Sequence, residues 1–259
     1  MSDLLSQYEE RFSDRAFAPP NPMPTLEKFD ADGSIRPYYG LTCIVWADER
    51  TELFRKLCAL QKTLENELEK AGLGDVFVFL VPASFHVTIC DVNASSDPSR
   101  CFDRNLIEAV QGAFERIGAP GRVISQIRGI GLKTTITALV KFDDERELEK
   151  AFSIEQRIKE PILDMDPEVR RSTCVRFRDF AGHISLAYCV RDPGEAGAER
   201  VREILRPYQD EVVGEFAFSQ LDLTYFTDMN TYVPLVTLNL HDGGVTQHAG
   251  NVEKLRRMS

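Results

Sequence analysis

Two patterns of hydrophobic residues alternate along the chain, one typical of strands and the other of helices. Strands are predicted where β-branched and aromatic residues cluster, as in residues 38–46. A helix is predicted where leucines recur three or four positions apart, as at Leu53, Leu57 and Leu60. The first half of the chain thus predicts a strand, a helix, two strands and a helix, at residues 38–46, 49–71, 76–81, 85–92 and 103–117.

A similar order begins again after the glycine- and proline-containing break at residues 118–121. The second half predicts a strand, a helix that Pro161 interrupts, two strands, a helix and a hairpin, at residues 134–142, 144–160, 173–177, 183–190, 201–205, and 215–226 with 232–240. This weak repetition of architecture predicts two α+β lobes whose corresponding strands face each other.

The pattern also predicts where the folded body begins and ends. Residues 1–24 form an N-terminal extension, in which a short amphipathic helix over 1–17 precedes a proline-rich connector. Residues 25–240 form one bilobal domain, with lobes at 25–120 and 121–240. Residues 241–259 contain two glycines near their start and few apolar residues, and so predict a mobile C-terminal tail.

Composition narrows the classes of function. Hydrophobic residues make up 43% of the chain and charged residues 28%, which is ordinary for a globular protein. The formal net charge of -10 disfavours duplex DNA and long RNA as partners, because both need a basic surface. The six cysteines form no CxxC pair, and neither a secretion signal nor a membrane span is evident. We therefore expect a cytoplasmic protein that does not bind membranes.

Candidate chemistry lies with two of the four histidines. His86-Val87-Thr88 and His183-Ile184-Ser185 repeat the pattern His-x-Ser/Thr, each in a predicted strand. Side chains alternate between the two faces of a strand, so each histidine shares a face with the hydroxyl residue two positions later. The intervening apolar residues would face the core. His241 and His248 lie in or beside the tail and are predicted to be surface residues.

The sequences FHVTIC and GHISLAY around these motifs resemble the 2H phosphoesterase superfamily, which includes 2′,5′-RNA ligase-like proteins and cyclic phosphodiesterases. The surrounding sequence is similar to a little-characterised branch of it. The resemblance covers residues 35–240 and implies a bilobal α+β fold, with two antiparallel sheets flanking a central groove and helices on the outside. One motif would enter the groove from each lobe.

The resemblance also implies a metal-independent phosphoesterase without a cofactor. His86 and His183 would be the catalytic acid and base, since the pKa of histidine suits both roles. The hydroxyls of Thr88 and Ser185 would bind the phosphate oxygens, where negative charge accumulates. The expected ligand is a small, cyclic, nucleotide-derived phosphodiester, and the sequence does not tell which histidine is the acid.

Two other functions stay open at this point. The same groove could bind a nucleotide without turning it over. It could also process or ligate the 3′ end of a short RNA, which would need aromatic residues for stacking and a basic rim. The residues available for that role are Tyr38, Tyr39, Phe85, Tyr225, Arg36, Arg128, Lys133, Arg176 and Arg178, although Phe85 should face the core.

Overall fold

The computed structural model describes residues 3–16, 22–171, 173–175 and 180–257. Within these ranges the chain forms seven α-helices and ten strands. The helices are α1 (Asp3–Ala16), α2 (Glu52–Lys70), α3 (Arg104–Ile117), α4 (Glu145–Leu163), α5 (Pro167–Arg171), α6 (Gly194–Leu205) and α7 (Ala249–Arg256). The strands are β1 (Tyr39–Trp46), β2 (Phe77–Phe79), β3 (His86–Ser95), β4 (Val123–Leu132), β5 (Thr135–Lys141), β6 (His183–Cys189), β7 (Val212–Phe218), β8 (Gln220–Asp228), β9 (Thr231–Asn239) and β10 (Val245–Gln247).

Three of the helices follow directly after a residue whose side chain caps a backbone N–H group. Thr51, Asp103 and Asp144 accept hydrogen bonds from the second or third amide of α2, α3 and α4. Leucines of the predicted period line the buried face of α2. Helix α4 continues through Pro161 to Leu163, so the predicted interruption is wrong. The proline lies in the last turn, where few hydrogen bonds remain to be lost.

The strands form two antiparallel groups that meet at one place. The order is β10-β9-β8-β1-β3-β6-β5-β4-β7, and β2 pairs with β6 on the same edge as β3, further along the strand. One lobe holds the first five strands of this order, and the other lobe holds β2 and the remaining four. Between the lobes, β3 and β6 pair at Val87 and Ile184. The predicted bilobal α+β fold with antiparallel sheets is confirmed.

The lobes exchange strands, which the predicted boundaries at 25–120 and 121–240 did not allow. Strand β2 comes from the first half but pairs with β6, whereas β8 and β9 come from the second half and extend the sheet from β1. The predicted strand at 215–226 is in fact two strands in different lobes, which separate at Ser219. On either side of this point the strands bury Phe216 and Phe218 in β7 and Leu221 and Leu223 in β8.

Two other strand predictions also need correction. Strand β4 was not predicted, because glycines at positions 129 and 131 interrupt its alternation. A strand was predicted at 173–177, but residues 173–175 are not in a strand, and residues 176–177 lie outside the described residues. There the Cys174 amide donates a hydrogen bond to the Val92 carbonyl of β3 (2.8 Å).

The segment after residue 240 is part of the folded body, so the prediction of a mobile tail is wrong. Strand β10 pairs with β9, and α7 buries Val252 and Leu255. The His248 side chain is only partly exposed, and its Nε2 lies 2.8 Å from the Thr237 hydroxyl. Among the described residues of this segment, two apolar side chains on α7 are buried, Val252 and Leu255, which is too few to produce a period in the sequence.

Helix α1 packs on the lobe that contains the second His-x-Ser motif. The buried Tyr8 hydroxyl donates to the Val140 carbonyl (3.0 Å) and accepts from the Gly182 amide (3.2 Å). The Tyr8 ring also packs against Phe142 and Phe180. This N-terminal helix therefore supports the residue that immediately precedes His183. Residues 19–21 of the predicted proline-rich connector lie outside the described residues.

The burial of Leu255 predicts a measurable contribution of the C-terminal segment to stability. We expect Leu255→Ala to lower the free energy of unfolding by about 2–4 kcal/mol, because the change removes buried methyl groups and leaves a cavity. Lys254→Ala, at the exposed neighbouring position, is the matched control and should change it by less than about 0.5 kcal/mol. Urea unfolding measures both, and equal values for the two variants would contradict this account.

Candidate functional site

Both predicted motifs occupy the beginning of a strand at the junction of the two lobes. His86 is the first residue of β3, and His183 is the first residue of β6. The side chains of Val87 and Ile184 are completely buried in the core. The four predicted site residues lie on the opposite face and remain partly exposed: His86, Thr88, His183 and Ser185. The alternation predicted from the sequence is therefore observed in both strands.

The strand register brings the two motifs side by side. Val87 is paired with Ile184 in an antiparallel arrangement. Extending this register by one residue in each direction places His86 opposite Ser185 and Thr88 opposite His183. Residues directly opposite in antiparallel strands have Cβ atoms about 4.5–5.5 Å apart and project from the same face. From this register we expect each imidazole to lie beside the hydroxyl of the other motif as well as that of its own.

The two imidazoles are held by the same kind of hydrogen bond. His86 Nδ1 lies 2.7 Å from the Ser84 carbonyl oxygen, and His183 Nδ1 lies 2.8 Å from the Ala181 carbonyl oxygen. A carbonyl oxygen can only accept, so Nδ1 carries the proton in both rings. In the neutral form of each ring, Nε2 is then the basic nitrogen. Both histidines are thus oriented for proton transfer at Nε2.

Aromatic rings surround His86. The centroid of its ring lies 4.5 Å from that of Tyr232 and 5.9 Å from that of Trp46. Burial lowers the pKa of His86 from 6.5 to about 4. The hydrogen bond to the Ser84 carbonyl opposes this shift, whereas the positive charges of His183 and Lys28 add to it. His86 is therefore neutral across the physiological pH range.

Lys28 supplies a positive charge near His86. Its Nζ lies 5.3 Å from the ring centroid of Tyr38 and 5.0 Å from that of Tyr188, a cation–π arrangement with both. Burial lowers the pKa of Lys28, but Tyr188, Tyr38 and the Asp91 carboxylate outweigh this effect and raise it above its usual value. Sequence reasoning missed Lys28, which lies before the first strand and outside any periodic pattern.

The C-terminal segment and a glycine hold the aromatic residues in position. The Trp46 indole N–H donates a hydrogen bond to the Asp222 carboxylate (2.8 Å). The same carboxylate accepts a hydrogen bond from the Thr237 hydroxyl, and this hydroxyl also contacts His248. Strand β1 carries a glycine at position 40, where a Cβ atom would lie 2.4 Å from the Phe226 ring. That ring packs against Tyr232 at a centroid distance of 5.4 Å. His248, predicted to be a surface residue, therefore contributes to the support of Trp46.

Two cavities open beside His183. The larger has a volume of about 510 Å³ and extends from His183 and Thr88 to Lys159 in α4. The smaller has a volume of about 220 Å³ and extends from His183 along β4 and β5 to Lys133. The volume of the larger cavity is typical of a small-molecule site. His183 is thus accessible from the space that a bound ligand would occupy.

The residues predicted for RNA binding are dispersed. Tyr38 lies beneath the Lys28 ammonium, and Lys133 lines the smaller cavity. Arg36 and Arg128 form ion pairs with neighbouring aspartates. Two of the predicted aromatic residues are buried, Phe85 and Tyr225, and two arginines lie outside the described residues, Arg176 and Arg178. A continuous basic rim is not formed by the members of this set that the structure describes.

The described residues contain neither a metal-binding cluster nor a helix that could cross a membrane. In the described ranges, no three or more side chains of the types His, Cys, Asp and Glu come together in a way that could hold a metal ion. Among the helices of the described segments, none combines the length and apolar character that a membrane crossing requires.

A family model and several solved structures are similar to this chain. Residues 28–100 match the family model 2H-phosphodiest, described as a domain of unknown function (DUF1868). This range contains the first His-x-Thr motif and Lys28. No curated protein sequence matches the chain.

The similar structures match between 78% and 91% of this chain. A conserved protein of unknown function, ATU0111 from Agrobacterium tumefaciens, is 16% identical with a TM-score of 0.51, over 91% of this chain and 98% of that one. TT0787 from Thermus thermophilus is 15% identical with a TM-score of 0.53, over 78% of this chain and 98% of that one. E. coli LigT complexed with 3′-AMP is 12% identical with a TM-score of 0.50, over 78% of this chain and 98% of that one. At these identities the similarity shows a shared fold.

The lowered pKa of His86 predicts a dependence of stability on pH. The unfolded chain binds a proton at this residue near pH 6.5, but the folded chain does so only near pH 4. Stability should therefore be full above pH 6.5 and fall as the pH decreases toward 4, by up to about 3 kcal/mol from this group.

We expect the fall between pH 7 and pH 4 to be smaller in His86→Gln than in the wild type, as measured by urea unfolding at both pH values. His241→Gln changes an exposed histidine and serves as the control. The lowered pKa would be disproved if all three proteins lost the same stability.

Proposed function

We propose that the chain hydrolyses a small, nucleotide-derived cyclic phosphodiester by two-histidine acid–base catalysis. The premise is that the chain has the fold of the 2H phosphoesterase superfamily and matches a family model of that superfamily over residues 28–100. Its superfamily supports an enzyme that acts on phosphodiester bonds. The observation that carries the finer proposal is the arrangement of the two imidazoles and two hydroxyls on one face, fixed by the pairing of Val87 with Ile184.

His86 is the general base in this proposal. A base must be neutral before it accepts a proton, and the burial that lowers the pKa of His86 to about 4 keeps it so. The bond from Nδ1 to the Ser84 carbonyl directs the accepted proton to Nε2. The same environment favours the base over the acid as the role of His86 at neutral pH, because the acid must carry a proton before the reaction begins.

His183 is then the general acid. The water oxygen forms a bond to phosphorus while its proton passes to His86 Nε2. The bond between phosphorus and the departing oxygen breaks, and that oxygen takes the proton from His183 Nε2. The product is a phosphomonoester with a free hydroxyl, and one proton has moved from His183 to His86. Exchange with solvent restores the starting protonation states.

Thr88 and Ser185 bind the phosphate. Their hydroxyls lie on the same face as the imidazoles and can donate to the two non-bridging oxygens, on which negative charge develops. Lys28 adds a positive charge near His86 and would attract an anionic substrate. A nucleotide as the ligand is supported by the solved structure of E. coli LigT, which has a similar fold and is complexed with 3′-AMP.

The first prediction concerns the two histidines. We expect His86→Ala and His183→Ala each to lower kcat/KM by about 10²–10⁴-fold, since each removes one proton-transfer step. Thr88→Val and Ser185→Ala should each lower kcat/KM by less than either histidine substitution does. The substrates are nucleoside 2′,3′-cyclic phosphates, ADP-ribose 1″,2″-cyclic phosphate and a short RNA with a 3′-cyclic phosphate, assayed in EDTA. His241→Ala is the control.

Near-normal turnover by His86→Ala would overturn this mechanism, as would activity that EDTA abolishes and a divalent ion restores. Preference for the RNA would favour 3′-end processing. Binding without turnover would favour the non-catalytic alternative, and it can be followed by the fluorescence of Trp46, the only tryptophan, whose ring lies 5.9 Å from that of His86.

The second prediction concerns the pH dependence of activity. The acidic limb of the kcat/KM profile should have its midpoint near pH 4, where His86 becomes protonated. Lys28→Met should shift this limb to higher pH, because it removes a positive charge that lowers the pKa of His86. Lys133→Met removes a cation beside His183 and is the matched control. If the midpoint of the acidic limb were the same in Lys28→Met as in the wild type, the role of Lys28 would be contradicted.

A further inference from the structure

The peptide unit that precedes His183 is hydrogen-bonded at both of its polar groups. Its carbonyl oxygen, on Ala181, lies 2.8 Å from His183 Nδ1. Its N–H group, on Gly182, donates to the Tyr8 hydroxyl (3.2 Å). The two groups point in opposite directions across one rigid plane, because the peptide bond is planar and trans. The Tyr8 hydroxyl and the His183 ring therefore contact the two ends of the same peptide.

The Tyr8 hydroxyl also connects this peptide to strand β5. It donates to the Val140 carbonyl (3.0 Å), while the Val140 amide donates to the Gly182 carbonyl (2.9 Å). Two residues that form a hydrogen-bonded pair in an antiparallel ladder normally exchange both bonds directly. Here one of the two connections passes through the phenol hydroxyl. Tyr8 therefore sets the distance between the Gly182 amide and the neighbouring strand.

Packing holds the Tyr8 ring in this position. The buried ring stacks on Phe180 at a centroid distance of 6.2 Å and meets Phe142 edge-on at 5.4 Å. Glycine at position 182 permits the close approach, since a Cβ atom there would lie 2.9 Å from the Cβ atom of Val140 and 3.0 Å from the Phe180 ring. The phenol ring is thus fixed by aromatic contacts, and its hydroxyl has little freedom to move.

The equivalent peptide of the first motif is fixed by a local turn. Its carbonyl, on Ser84, lies 2.7 Å from His86 Nδ1, and its N–H group, on Phe85, donates to the Pro82 carbonyl (2.9 Å). These groups all belong to residues 82–86. At the second motif, the hydroxyl that accepts from the equivalent N–H group is 174 residues away along the chain, in the N-terminal helix. The two rings are bonded alike at Nδ1, but the second obtains its support from α1.

We propose that Tyr8 is a positioning residue for the reaction, and that its hydroxyl keeps the Ala181 carbonyl where it retains the proton of His183 at Nδ1. The inference rests on the proposed function, in which His183 gives up the proton at Nε2 and so must keep the one at Nδ1. The hydrogen bond made by one nitrogen of an imidazole decides which nitrogen carries the proton in the neutral ring. The N-terminal helix is therefore part of the catalytic unit.

The first test is Tyr8→Phe, which removes the hydroxyl and keeps the ring. The buried Gly182 amide then loses its acceptor and turns toward β5 for another, which moves the Ala181 carbonyl away from His183. We expect nitrogen-15 NMR to show a mixture of the Nδ1–H and Nε2–H forms of neutral His183 in this variant. The wild type should show the Nδ1–H form, and His86 should show it in both proteins.

The same variant should lower kcat for nucleoside 2′,3′-cyclic phosphates by about 10–100-fold and change KM by less than about twofold. The substrate still binds, but the acid is displaced from its working position. Tyr208→Phe is the matched control, because it removes a hydroxyl that contacts the Glu67 carboxylate of α2 (3.3 Å). Its kcat and its His183 resonances should equal those of the wild type.

A second measurement uses the wild-type protein and does not depend on the folding of any variant. The Gly182 amide proton should be protected from exchange with deuterium, and it should show nuclear Overhauser cross-peaks to the ring protons of Tyr8. Rapid exchange of this amide, or the absence of these cross-peaks, would overturn the inference.

The outcomes separate this inference from the proposed function. A Tyr8→Phe protein with wild-type His183 resonances would overturn the positioning role, even if its kcat or its stability were lower. Equal changes at His86 and His183 would also overturn it, because they would reflect a general loosening of the fold. A change confined to His183, in a protein whose wild type hydrolyses none of the cyclic phosphates, would support the role of Tyr8 and count against the catalytic function.

Discussion

One backbone pairing between the two lobes determines the geometry of the site. Val87 and Ile184 face each other where β3 meets β6, and both are completely buried. A slip of one residue in either strand would turn its histidine and hydroxyl into the core and its apolar residues into the open. The burial of two large aliphatic side chains thus fixes which face carries the polar groups. The site does not need its own residues to hold the lobes together.

Around this pairing the surroundings of the two motifs differ. His86 lies among aromatic rings with a cation nearby, whereas His183 borders two cavities. The hydrogen bonds at Nδ1 are nearly identical in the two motifs, so the local backbone alone would give equivalent histidines. Their different roles in the proposed mechanism arise from residues far away in sequence, chiefly Lys28 and Tyr232 beside His86.

The sequence was sufficient for what depends on neighbouring residues in one strand or helix. Alternation within β3 and β6 predicted the faces of His86 and His183, and leucine spacing predicted α2. It was insufficient for contacts between distant segments. The pairing of β2 with β6 and the addition of β8 to β1 depend on tertiary packing that no local period records. Lys28 was missed for the same reason, because its environment is made by Tyr38 and Tyr188.

The contacts of Tyr8 have a consequence for the order of folding. Its hydroxyl joins the first helix to Val140 and Gly182, which are 132 and 174 residues away along the chain. Contacts over such separations form late, because the entropy of closing a long loop must be lost first. During synthesis, residue 8 leaves the ribosome long before its partners exist. The backbone just before His183 therefore reaches its final hydrogen bonding only after nearly three quarters of the chain has been made.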